Sequence, residues 1–290
     1  MKPFDFIVAH DSAEALAVLA RNGAGTRLLA GGTDLLVELK SAARSPAVVV
    51  DISRASDLRR IAMTEKGLVI GAAVTHGEIL DSPLVRKWAP ALADACHSIG
   101  AVQTRSLGTL GGNLVTCVPS MDGGPVLVAL EAQVTIAGPA ARRRMALGEF
   151  FVGPRRTALA PDELLLEILI PKKNLGKPAD FQKFGLRRGQ ALALVNVAVS
   201  LRVGGPPAAF VEPRIVLGAV APTVMRAAQA EAFLEGRAIS LEAMREAGRI
   251  AAAEAQPITD FRASAGYRLD LIATLTRRAL ENARARAREA

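Results

Sequence analysis

Two glycine pairs constrain this chain's backbone more than any other feature of its sequence. The first lies in Leu28-Leu29-Ala30-Gly31-Gly32-Thr33-Asp34-Leu35, the second in Arg105-Ser106-Leu107-Gly108-Thr109-Leu110-Gly111-Gly112-Asn113-Leu114. Glycine allows positive φ and leaves main-chain N–H groups uncovered by side chains. Arg27 to Ala30 predicts a short strand and Leu35 to Lys40 a turn or two of helix, so the first pair sits in a strand–glycine–helix order. A helix start adds its own free N–H groups and a partial positive charge, and an anion fits there. In the second stretch, Gly108, Gly111 and Gly112 fall within five residues, which predicts a loop rather than a helix or strand interior.

Taken singly, each pair reads as an ordinary turn. Together they share uncovered amides with a small polar side chain alongside: Thr33 in one, Thr109 and Asn113 in the other. Neither has a lysine or arginine inside the turn, so backbone dipoles would do the anion binding, as in a nest. The missing P-loop lysine argues against a nucleoside triphosphatase, and the spacing departs from G-x-G-x-x-G.

The 290 residues, 50% hydrophobic, suit one large domain or two with a sizeable core. A net charge of +8 raises the question of nucleic acid. The charge is spread between Arg142-Arg143-Arg144 and a tail holding Arg277, Arg278, Arg284, Arg286 and Arg288, with no aromatics interleaved for stacking. Solvated arginines at a helix end are the simpler reading. Cys96 and Cys117 are too few for a four-thiolate cluster or zinc site, and His10, His76 and His97 are scattered, so no metal is expected. The N-terminus shows no signal pattern and no apolar run is long enough to span a membrane, which leads to a cytoplasmic expectation.

Along the chain, Asp11-Ser12-Ala13-Glu14 and Thr75-His76-Gly77-Glu78 read as capping boxes, which makes His76 a first-turn helix residue. Ser82-Pro83 starts a helix predicted to run to about Ser98. Ala47 to Asp51, Gly67 to Gly71, Glu131 to Ala137, Phe181 to Phe184, Ala191 to Val203 and Pro213 to Ala219 read as strands. Arg187-Arg188-Gly189-Gln190 would close a hairpin. Helices are expected over Ala227 to Leu234, from Ser240 to about Glu254, and from Tyr267 onward. Asp122, before Gly123-Gly124, is a turn former or cap, or alternatively an acceptor for sugar hydroxyls. Lys183 is an exposed strand lysine or a group near a cofactor ring. Pro171 to Pro178 is the best domain boundary, giving units 1–175 (subdomains of about 1–57 and 58–175) and 178–290.

At Leu29 to Leu35, Arg105 to Asn113, Asp122 and Phe181-Gln182-Lys183, the sequence resembles the FAD-binding middle subunit of molybdenum hydroxylases, the xanthine dehydrogenase and carbon monoxide dehydrogenase group. Arg214 to Thr223 and Phe261 to Arg268 resemble the C-terminal domain of those flavoproteins, so the likeness covers nearly the whole chain. It implies an α+β fold: a two-part FAD-binding domain of the vanillyl-alcohol oxidase/p-cresol methylhydroxylase type, then a smaller C-terminal domain with an antiparallel sheet and helices. It implies that Leu28, Leu29, Ala30, Gly31, Gly32, Thr33, Asp34 and Leu35 grip the FAD diphosphate with Thr109, Gly111, Gly112 and Asn113. Thr116 and Asp122 would sit on the ribityl and neighbouring groups, with Leu165 and Lys183 as further contacts. Electrons would come from a small iron–sulfur subunit fed by a large molybdopterin subunit and leave to NAD or another acceptor. The chain departs from the pattern at Ile99 to Thr104, which has no aromatic, and at Thr116 to Met121. It also lacks the Cys-rich insert that carries an extra cluster in some relatives. A self-contained FAD reductase or oxidase on the same fold, and a non-redox phosphate-binding module, are the competing readings.

Overall fold

The computed structural model describes residues 2–289, with side-chain environments through residue 287. Three main sheets follow one another along the chain. In the first unit, β1 (Asp5–Val8), α1 (Ser12–Asn22), β2 (Thr26–Leu29), α2 (Leu35–Lys40) and β3 (Val48–Asp51) give a parallel sheet in the order β1-β3-β2. Val48-Val49-Val50 is buried because β3 is the middle strand. The Asp11 carboxylate accepts from the Glu14 amide and so starts α1.

The second unit runs β4 (Ile61–Thr64), β5 (Gly67–Gly71), α3 (His76–Asp81), α4 (Pro83–Trp88), α5 (Pro90–His97), α6 (Val102–Leu107), α7 (Leu110–Thr116), α8 (Gly123–Ala129), β6 (Gln133–Ala137), β7 (Arg142–Ala146), α9 (Leu147–Phe150), the hairpin β8 (Phe151–Gly153) and β9 (Arg156–Thr157), and β10 (Leu164–Pro171). Its antiparallel sheet has the order β4-β5-β10-β6-β7. The third unit holds β11 (Ala179–Phe184), β12 (Val195–Gly204), β13 (Ala209–Gly218) and β14 (Met225–Arg226) in a meander. It continues with α10 (Ala228–Leu234), α11 (Leu241–Glu254) and α12 (Ala265–Glu289). Leu164 and Leu166 of β10 join the core of the first unit, while Ala198 and Val216 join that of the second, so apolar packing is continuous between units. The architecture is the expected α+β one. Among the described residues no helix is long and apolar enough to cross a membrane.

Several local expectations are corrected. The helix expected from Ser82 to Ser98 is two helices, because Pro90 supplies no N–H and the chain turns at Ala89 (φ −146°, ψ 54°). Leu110–Thr116 is helical despite Gly111 and Gly112, which occupy a first turn capped by Thr109. Arg142 to Arg144 lie on the edge strand β7, not a helix end; there the charges blunt edge pairing. Strand β12 begins at Val195, not Ala191. Strand β13 begins before Pro213, with Glu212 at positive φ and a register shift that lets the proline sit inside it.

Candidate functional site

The two glycine stretches meet. A Cβ on Gly31 would lie 1.9 Å from the Leu107 carbonyl oxygen and 2.8 Å from Gly108 Cα, so the first turn rests on the chain entering the second. Gly32 has φ +70°, the left-handed region that favours glycine. The amides of Gly31, Gly32, Thr33, Asp34 and Leu35 have no acceptor among the described residues; the next amide, Leu36, donates to Gly32 O at 3.0 Å. Consecutive free N–H groups of this kind form a concave anion site.

These amides stand at a cavity of about 290 Å³. Leu28, Ala30, Gly31, Gly32, Thr33, Asp34 and Leu35 wall one side. His76, Ile99, Thr104, Gly108, Thr109, Gly112, Asn113, Val115 and Thr116 wall the other. Partial burial raises the Asp34 pKa, with Arg155 opposing. Arg155 itself is held 2.5 Å from Glu38, which also binds Arg44.

The second stretch is built differently from the expectation of uncovered amides. Leu110 N donates to Val74 O (2.9 Å), Gly111 N to Ala72 O (3.0 Å), Gly112 N to Thr109 Oγ1 (3.0 Å) and Asn113 N to Thr109 O (3.0 Å). Strand β5 runs out at Gly71, and the segment after it, Ala72 to Val74, supplies the carbonyls that consume the outer amides. What this stretch offers the cavity is therefore side chains and space. Asn113 Oδ1 is buried with no partner, and Thr116 Oγ1 donates to Gly112 O at 2.8 Å. A Cβ on Gly112 would meet the Thr109 hydroxyl at 2.9 Å and nothing else within 4 Å outside its own helix.

Other expected site residues lie off this wall. Leu29 alternates away from Leu28 along β2 and its Cδ1 would lie 3.0 Å from a Cβ on Gly32. Gly111 faces the sheet, where a Cβ would sit 2.5 Å from Ala72 O. Leu165 is 2% exposed within the core of the second unit. Asp122 and Lys183 pair with each other, Nζ to Oδ2 at 2.5 Å. Asp122 also accepts from Ser98 Oγ (3.2 Å) and Asn196 Nδ2 (2.8 Å), and Lys183 donates to Ser98 O (3.0 Å). Burial keeps the Asp122 pKa raised against the pull of Lys183, Asn196 and Ser98. This cluster joins the second and third units beside Ile99, one residue from the cavity wall.

His76, Thr104, Gly108 and Val115 are not among the cofactor contacts expected from sequence: His76 is read there as a first-turn helix residue, Gly108 as part of the second glycine loop, and Ile99 to Thr104 only for its missing aromatic. His76 was hidden by its capping box, which explains its position without reference to its ring. Thr104 and Val115 carry no local signal; only the meeting of α6 and α7 with the first turn brings them in.

A family described as the FAD binding domain in molybdopterin dehydrogenase matches residues 2–173, and one described as the CO dehydrogenase flavoprotein C-terminal domain matches residues 181–283. The carbon monoxide dehydrogenase medium chain of Hydrogenophaga pseudoflava is 32% identical over 98% of this chain and 98% of its own. The xanthine dehydrogenase FAD-binding subunit of Escherichia coli O157:H7 is 31% identical over 97% of each. Among solved structures, carbon monoxide dehydrogenase from Hydrogenophaga pseudoflava superposes with a TM-score of 0.93 at 34% identity over 99% of both chains. Quinoline 2-oxidoreductase from Pseudomonas putida 86 superposes with a TM-score of 0.91 at 29% identity, over 99% of this chain and 100% of that one. With both of its domains matched and relatives aligned end to end, the chain belongs to the FAD-binding subunits of the molybdenum hydroxylases, the family of the carbon monoxide and xanthine dehydrogenase flavoproteins.

Proposed function

We propose that this chain is the electron-transferring subunit of a heteromeric molybdopterin-dependent dehydrogenase. It receives electrons from a small iron–sulfur subunit, which a large molybdopterin subunit supplies, and it passes them to NAD⁺ or another acceptor in the cytoplasm. The observation that carries the site assignment is the run of unpartnered amides from Gly31 to Leu35, opening on a cavity shared with Thr109, Gly112 and Asn113. The names of the relatives, medium chain and FAD-binding subunit, support a multi-subunit assembly.

The residues present fit FAD. The buried, unpartnered Asn113 Oδ1 and the open space over Gly112 are what a wall built for a ligand leaves behind. Bound FAD supplies the redox chemistry, which side chains lack. The amides of Gly31 to Leu35 hold the diphosphate by fixed dipoles, so no lysine has to be desolvated. Thr109 and Thr116 fix the wall of α7 against the cofactor. The Asp122–Lys183 pair holds Ser98, and through it Ile99, in place across the domain junction, which this reading sets between residues 175 and 178. Among the described residues no group of three or more His, Cys, Asp and Glu side chains could hold a metal.

The test is purification of the tagged chain from its native host. The expected result is a yellow preparation with two further chains, one of them bearing iron–sulfur clusters. An isolated chain that oxidises a small organic substrate with no partner would contradict the proposal.

A further inference from the structure

We propose that His76 is a further cofactor-holding residue: its Nε2–H donates to the FAD diphosphate, and the Cys96 thiol holds the ring in that tautomer. The inference rests on the FAD reading of the cavity. His76 is the first residue of α3; Thr75 and Glu78 form the capping box there, and the His76 amide donates to Gly108 O at 2.9 Å. The backbone is thus clamped to the second glycine stretch. The residue is 3% exposed and lines the cavity.

The two edges of the ring have different surroundings. The Cδ2 edge, which carries Nε2, packs on Gly108: a Cβ there would lie 3.4 Å from His76 Cδ2 and 3.6 Å from Thr33 Oγ1. His76 and a residue of the free-amide run therefore flank the same glycine. On the other edge, Nδ1 is 3.5 Å from Cys96 Sγ. Cys96 is fully buried; burial pushes its thiol pKa far up, Asp122 adds to this and Arg105 opposes it. The sulfur therefore keeps its hydrogen.

Burial, followed by the charge of Arg105, brings the His76 pKa down to about 4, so the imidazole is neutral at neutral pH. A neutral imidazole has one N–H and one acceptor nitrogen, and that nitrogen is a far better acceptor than a thiol sulfur. The Cys96 S–H donates to Nδ1, which leaves the ring hydrogen on Nε2. Among the described residues Nε2–H has no acceptor. The residue lines the cavity, and the cavity is where that acceptor would come from. A phosphoryl oxygen held by Gly31 to Leu35 supplies it.

The experiment uses the deflavinated full chain, with FAD titrated directly and ADP and riboflavin as competitors. His76→Phe, which keeps a ring and removes the N–H, is expected to weaken FAD and ADP alike by about tenfold or more, since one tenfold step is about 1.4 kcal/mol. Riboflavin should be unaffected. His76→Gln, which returns an N–H near the Nε2 position, should restore most of the loss. Nitrogen-15 NMR of the wild-type chain needs no variant and should show His76 as the Nε2–H tautomer. Unchanged ADP affinity in a folded His76→Phe chain, or an Nδ1–H tautomer, would overturn the proposal. A wild-type chain that binds neither FAD nor ADP would instead sink the FAD reading itself.

Discussion

At the scale of single residues, the cavity is bounded by what glycine leaves out and by a histidine kept neutral. Gly31 lets two chain segments touch, while Gly112 leaves a space that the protein does not fill. His76 gives a pH prediction. Its pKa is about 4 folded, lowered by burial and then Arg105, against an ordinary value of about 6.5 unfolded. Between those values the unfolded chain takes up a proton that the folded chain refuses, so this contribution is full above pH ~6.5 and is lost as pH falls toward 4. Urea unfolding of the apo chain should show wild type losing about 3 kcal/mol more than His76→Gln on going from pH 7 to 4, at ~1.36 kcal/mol per pKa unit. Parallel pH profiles for the two chains would rule this out.

At the scale of elements, short capped helices place the walls. Thr109 accepts from the Gly112 amide and starts α7, and α7 then presents Asn113 and Thr116 to the cavity. Arg105 donates to the His97 and Ile99 carbonyls and fixes the loop from α5 to α6. Thr109→Ala should cost about 1 kcal/mol, as loss of an N-cap does, lowering the melting temperature by roughly 2 °C for a chain of this size. Thr109→Ser should behave as wild type in the same thermal melt. Equal melting of the alanine variant would show that the cap contributes nothing.

Much at this scale was legible in the sequence because its causes are local: the Thr75 capping box, Pro at the start of α4, and the Ser240 cap of α11. The Leu110 and Gly111 amides were misread because their acceptors, Val74 and Ala72, lie far back in the chain, while Thr109 takes the Gly112 and Asn113 amides. Glycine composition announced a turn, and a partner distant in sequence made it a helix.

At the scale of the molecule, the domains are joined by polar clusters, one buried at Asp122 and Lys183 and one half-buried at Glu131, as well as by apolar packing. Glu131, in the turn between α8 and β6, binds Lys173 (2.6 Å) and Asn174 (3.0 Å) after β10, and Arg214 (2.8 Å) on β13. Desolvation would raise its pKa, but Lys173, Asn174 and Arg214 together hold it down to about 2. The stability it contributes is present above the unfolded value of about 4.5 and is lost as pH falls through 2. Discounted for solvent screening, Glu131→Gln should cost about 2 kcal/mol at pH 7 and almost nothing near pH 2, measured by denaturant unfolding. A cost that persists unchanged at low pH would contradict the linkage. Such pairs were not legible beforehand: Lys183 and Asp122 each looked like a local feature, and no pattern within either segment pairs them across 61 residues.

The central claim is that the free amides of Gly31 to Leu35 and the open face of Gly112 hold one diphosphate. Its most direct test is flavin content per chain, by absorbance, in wild type and Gly112→Val. The first side-chain carbon of the valine enters space beside the cavity, where the nearest group outside its own helix backbone is the Thr109 hydroxyl at 2.9 Å. Wild type is expected to hold a stoichiometric flavin, and the variant to fold but lose most of it. A Gly112→Val chain that keeps its full complement of FAD would contradict it.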